Sequence, residues 1–278
     1  MKRGSVKRAV KKNKTLAVSL AIICCLLLVA VFAPYLSPFD PMAIDLDHIK
    51  QSPGPAYLLG TDTIGRDVLS RIIFGTRISL FIGIMATVVS LGIGLLVGLF
   101  AGYFGGKIDM AITVIVDFFL AFPSLLLAIG ISVLLPPGLL STTCALCLVG
   151  WASFARLFRG MVFSLKENVF VDAARVIGCS HLRILFIHIL PHCLPVCLVA
   201  ASLKVGSFIL AESALSFLGL GVQPPVPSWG TMVSLNRSYL PSAPWMVLFP
   251  GVAIALTVIV FNMFGDACRD ALDQNIKV

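Results

Sequence analysis

The chain has 278 residues, of which 58% are hydrophobic and only 12% charged, with a formal net charge of +8. Soluble domains carry about 25% charged residues, so this composition excludes a soluble enzyme or binding module and identifies an integral membrane protein. The basic excess then reports orientation in the membrane rather than nucleic-acid binding. No nucleic-acid partner is expected.

Lys2, Arg3, Lys7, Arg8, Lys11, Lys12 and Lys14 form a basic N-terminus over residues 1–15, ahead of an apolar run at 16–33. As a helix that run spans ~27 Å, close to the hydrocarbon thickness. Pro34 follows it directly, a poor context for cleavage. The run therefore reads as an uncleaved signal anchor with its N-terminus in the cytoplasm. Residues 34–77 are rich in Pro and Asp and too poor in apolar residues for a core of their own. They are expected outside, with a short helix around Asp67–Phe74.

Further spans are predicted over 78–102, 108–135, 139–157, 194–215 and 245–264, giving six transmembrane helices in an all-α fold. With the N-terminus inside, fifteen Lys and Arg fall on the inner side and five on the outer side, with Lys204 inside the fifth span. That bias supports six spans with both termini cytoplasmic. The transmembrane domain then covers 78–268, and 269–278 is a cytoplasmic tail.

Gly94, Gly98 and Gly102 recur at intervals of four in the second span and put one face within reach of a neighbouring backbone. That face serves intramolecular packing or, alternatively, a subunit interface. In the third span, Asp117 lies two turns inside Asp109, where a charge must face protein or water. Phe122 and Pro123 follow, and the proline is expected to kink the helix. These residues form either the wall of a polar passage or a structural hydrogen bond with a packing kink. Glu212 closes the fifth span and is read at the outer water boundary, with a polar cavity as the alternative. The Gly- and Pro-rich stretch 216–230 is expected to fold over the outer mouth of the bundle.

The polar inner segment 164–191 matters most. Phe170, Ala173, Ala174, Ile177 and Leu182 give it an apolar stripe at helical spacing. Gly178 permits a sharp turn, and Pro191 limits re-entry into the membrane. Two short helices lying on the cytoplasmic face are expected. They either dock into a partner's groove or rest as a linker on the lipid surface.

Asp172-Ala173-Ala174, three residues, Gly178, then Leu190-Pro191 resembles the "EAA" loop of bacterial ATP-binding-cassette importer permeases. Asp172 stands where Glu is usual, and His188 where the general pattern has Ile. The blocks Leu59-Gly60-Thr61-Asp62, Gly65 to Arg71, Ala101 to Gly106, Ala121-Phe122-Pro123-Ser124, Ala214 to Val222, and Phe261-Asn262 with Gly265-Asp266 and Arg269 to Asp273 extend the likeness. They resemble, in order, the C-type permease of the dipeptide/oligopeptide/nickel family.

The resemblance implies a type I importer permease fold in the bacterial inner membrane. It implies a second homologous permease subunit, two ATP-binding subunits and an extracytoplasmic solute-binding protein as partners. It makes Asp172, Ala173, Ala174, Gly178, Leu190 and Pro191 the ATPase-coupling loop. The solute is expected to be a peptide, with nickel or another metal chelate as the alternative.

No G-x-x-x-x-G-K-[ST] loop occurs, so ATP and Mg are expected on the partner subunits and no cofactor on this chain. No zinc helix or serine elbow occurs either, and a non-catalytic subunit is expected. His188 and His192 are four apart, but Pro191 is read as interrupting the helix between them, so no metal site is expected. An ion-coupled carrier acting alone, relaying through Asp117, Lys204 and Glu212, is the rival reading.

Overall fold

The computed structural model describes the backbone of residues 14–276 and the side chains of residues 14–272. The basic cluster at the N-terminus lies outside the described residues apart from Lys14. Helix α1 (Lys14–Val31) leaves most of its apolar surface uncovered and packs through Leu16, Ile23 and Ala30. Leu16 meets Ala267 and Cys268 near the end of the last helix. A uniformly apolar helix that is mostly uncovered fits a lipid environment.

Helix α2 (Val68–Phe104) starts ten residues before the predicted span. Asp67 caps it, its carboxylate accepting the Ser70 backbone N–H at 2.7 Å. Gly105, at φ +65°, ends it. Helix α3 (Gly106–Ala121) and helix α4 (Ser124–Val133) replace the single third span and meet at 87°. The break is sharper than the predicted kink. Phe122 precedes a proline and is extended at φ −94°, ψ 142°, and Pro123 is extended as well, at ψ 123°.

Helix α5 is Leu139–Leu165, and α6 is the short Val169–Val176. Helix α7 runs from His181 to Phe217 without interruption. This corrects the expectation of two surface helices ended by Pro191. Over Ile184–Ile189 the turns widen, and Leu190 N–H bonds the Leu185 carbonyl, five residues back. A widened turn gives the proline ring room against the preceding turn and absorbs its missing donor. Pro191 and Pro195 therefore lie inside one helix, and His188 and His192 share it. Helix α8 (Trp229–Asn236) precedes α9 (Trp245–Ile276), which continues into the region read as a tail, as far as Ile276.

Gly94, Gly98 and Gly102 face α5. A Cβ on Gly98 would lie 2.7 Å from the Ala155 carbonyl oxygen and 2.9 Å from the Arg159 nitrogen. Gly94 and Gly102 are equally close to α5 backbone. Phe154, Phe158 and Val162 of α5 and Leu99 of α2 fill the space beside this contact. The glycine stripe is thus an internal helix seam.

Gly98→Ala must push the α2 and α5 backbones apart, and overpacking of this kind costs about 1–3 kcal/mol. Gly92→Ala, where a Cβ meets nothing within 4 Å, should be neutral or slightly stabilising, since Ala outranks Gly in a helix. Thermal unfolding of the purified protein in detergent checks both. Equal melting temperatures for the two variants would contradict the seam.

Candidate coupling and translocation sites

At one end of the bundle, α6 is held by one face only. Val171 is fully buried and Ala174 is 4% exposed, packed with Ile184 and Leu185 of α7. Phe170 stacks on His192 with ring centroids 4.9 Å apart. Gly178, at φ +84°, adopts the left-handed conformation that ends the helix. Cys179 N–H then returns to the Ala174 carbonyl at 3.0 Å. Tyr103 Oη and His181 Nδ1, 2.9 Å apart, tie the following turn to the end of α2.

The opposite face of α6 has no cover. Val169, Val176 and Ile177 are at least 80% exposed. Asp172, Ala173 and Arg175 are also exposed, with Arg175 Nη1 donating to Asp172 Oδ1 at 2.9 Å. This divides the predicted coupling residues. Asp172, Ala173 and Gly178 are presented to the surroundings, whereas Ala174 belongs to the bundle and Leu190 and Pro191 lie along α7. The predicted stripe through Phe170, Ala174 and Leu182 is not a single exposed face. Val169 and Val176, absent from the predicted set, complete the exposed one.

The broken span forms a second feature. Asp109 takes both Nε and Nη2 of Arg159, the latter at 2.7 Å. Asp117 is paired with Arg156. Its side chain is 55% exposed and that of Arg156 57%. Asp117 is eleven residues from the start of α3, about 17 Å along the axis. A half-exposed ion pair so far along an apolar helix is expected to face water or another protein rather than hydrocarbon. Phe122 and Pro123 occupy the exposed bend above it.

Glu212 is fully buried, which corrects its placement at the water boundary. Ser216 Oγ donates to Glu212 Oε1 at 2.8 Å and Ser228 Oγ at 2.9 Å. Ser228 also caps α8, accepting the Thr231 N–H at 3.2 Å. Trp229, 1% exposed, donates through Nε1 to the Ile72 carbonyl at 3.1 Å. The carboxylate thus pins the start of α8 to α7, Trp229 ties it to α2, and the Gly- and Pro-rich stretch does fold onto the bundle.

Beside α8, residues 39–71 fold around Asp62, which is 2% exposed. Its Oδ1 accepts the N–H groups of Ile64 and Arg66, both at 3.0 Å, and its Oδ2 takes Arg66 Nε at 2.7 Å. Arg71 Nε approaches Oδ2 at 3.7 Å, and Arg71 Nη1 donates to the Pro41 carbonyl at 2.9 Å. At the exposed edge, the hydrogen bond with His48 holds the Asp45 carboxyl below its ordinary pKa.

Comparison with known proteins fits this arrangement. Residues 94–278 match the family described as binding-protein-dependent transport system inner membrane component. Residues 5–53 match the N-terminal TM domain of oligopeptide transport permease C. The chain is 46% identical to the dipeptide transport system permease protein DppC of Alkalihalophilus pseudofirmus, over 97% of this chain and 89% of that one. It is 42% identical to the di/tripeptide transport system permease protein DppC of Pseudomonas aeruginosa, over 95% and 89%. It is 40% identical to the oligopeptide transport system permease protein OppC of Bacillus subtilis, over 96% and 88%.

Among solved structures, a chain of the MetNI methionine ABC transporter superposes with a TM-score of 0.59. It has 19% identity and covers 73% of this chain and 96% of that one. That likeness carries the fold. The chain belongs to the family of inner membrane components of binding-protein-dependent transport systems, as a permease subunit of an ATP-binding-cassette importer.

Proposed function

We propose that this subunit conducts peptides across the inner membrane. It would pair with a second, homologous permease subunit, with two ATP-binding subunits docked on the α6 end and a solute-binding protein at the end carrying residues 39–71 and α8. The carrying observation is α6 itself. One face is locked to the bundle through Val171 and Ala174, and the other offers Val169, Ala173, Val176 and Ile177. A short helix held this way can take a push from a docked partner and pass it to α7. ATP binding shifts the equilibrium between access states only through contacts that differ between them.

The charge bias supports an α6 end in the cytoplasm and an end carrying α8 outside. The relatives named for dipeptide, di/tripeptide and oligopeptide transport support a peptide solute. On this reading ATP and Mg are held by the partner subunits, and this chain serves as a non-catalytic conduit and lever.

The test is reconstitution of the permease pair with its ATP-binding subunits and binding protein in proteoliposomes. ATP-dependent uptake of labelled dialanine is expected, with none when this chain is reconstituted alone. Gradient-driven uptake by the isolated chain, or a complete complex that ignores peptides, would sink the reading.

A further inference from the structure

Lys204 and Glu212 are the two charged residues inside the fifth span; Glu212 is held by Ser216 and Ser228, whereas the permease reading gives Lys204 no role. It stands near the middle of the Leu190–Phe217 stretch of α7, with about 20 Å of helix on either side. Its side chain cannot carry the ammonium to an interface from there. Among the described residues no carboxylate pairs with it. Its nearest aromatic neighbour is Phe208, whose ring centroid lies 5.3 Å from Nζ. An ammonium held at mid-membrane without a counter-ion marks a site where an anion arrives.

The surroundings agree. Lys204 lines a groove between α4, α5 and α7, together with Ser124, Ala128, Leu146, Gly150 and Ser207. Both serines are exposed; the Ser207 hydroxyl donates to the Leu203 carbonyl at 3.1 Å, and Ser124 brings the hydroxyl that can turn to the groove. Ser124 also opens α4 immediately after the 87° break, with no side chain capping that end. The free N–H groups there add potential of the same sign as the lysine. On α3 and α5, Asp117 and Arg156 pair with each other, and Glu212, about two turns along α7 from Lys204, is engaged by Ser216 and Ser228 instead.

We propose that Lys204 binds the carboxylate of the solute within the membrane, as a midway station of the translocation path. For a peptide this is the C-terminal carboxylate, with the Ser124 hydroxyl supplying a further donor. The proposal rests on the peptide reading given above. An acidic side chain of the second permease subunit is the competing counter-ion, and the experiment separates the two.

Complete complexes carrying Lys204→Gln or Lys204→Arg are compared with wild type in proteoliposomes. The probes are dialanine and dialanine amide, each at a concentration that saturates the binding protein. Lys204→Gln should lower dialanine uptake about tenfold or more, the usual worth of a charge-assisted hydrogen bond, and leave the amide unchanged. Lys204→Arg should stay within about twofold of wild type for both.

A Lys204→Gln complex that moves dialanine at the wild-type rate overturns the proposal. So does equal loss of both peptides, which assigns the lysine to a structural pair with the other subunit. A wild-type complex that moves neither peptide overturns the peptide reading, and this proposal with it.

Discussion

Replacing Val176 with glutamate is expected to strip the ATP-binding subunits from the purified complex while the permease itself stays folded. Val176 is 88% exposed in the subunit and contributes nothing to its core. The new carboxylate is therefore harmless until a partner covers it. In the docked state it must give up its water inside an apolar contact, which costs several kcal/mol for an unpaired charge. The affinity of the ATP-binding subunits should fall by about 100-fold or more.

Ala174→Glu should behave differently. Ala174 is 4% exposed against Ile184 and Leu185, so the same charge there disrupts the subunit before any partner binds. Co-purification and solute-stimulated ATP hydrolysis measure the first effect, and thermal unfolding of the isolated permease separates it from the second. Stoichiometric ATP-binding subunits on the Val176→Glu complex would refute the docking face.

That contrast shows how far the sequence is legible. The apolar runs locate the spans because twenty or so apolar residues have few other uses. Asp172, Ala173 and Gly178 can be picked out by likeness to a family pattern. Which side of α6 is covered cannot. Val169, Val171, Ala173, Ala174, Val176 and Ile177 make both faces apolar, and only contact with α7 decides between them. Pro191 misleads for a related reason. A proline predicts a break unless the preceding turn widens, and that widening is set by how Ile184, Leu185 and Ile189 bury themselves. Glu212 reads as a boundary residue because its partner Ser228 lies 16 residues further on, beyond a stretch too rich in glycine and proline to place by periodicity.

The same limit hides the role of Asp62, which the sequence offers only within a block of family likeness. Its replacement by alanine carries the largest expected loss of stability. The carboxylate sits between two guanidinium groups whose side chains are 11% and 3% exposed, those of Arg66 and Arg71. Removing it leaves two buried cations without their anion and two backbone N–H groups, of Ile64 and Arg66, without an acceptor. Breaking a buried ionic cluster from one side costs about 3–5 kcal/mol. Asp62→Asn keeps one oxygen for the backbone donors and should lose less.

The damage should stay local at first, because α2 places this cluster about 54 Å from the α6 end. Limited proteolysis should show early cleavage within residues 39–67 of Asp62→Ala, with the ATP-binding subunits still bound to the complex. Binding-protein-stimulated ATP hydrolysis should fall at the same time if, as proposed, the binding protein docks on this end. Wild-type protease resistance in Asp62→Ala would mean that Arg66 and Arg71 find their counter-charge elsewhere, and that the segment is held by its backbone hydrogen bonds and by the Ser70–Asp67 cap alone.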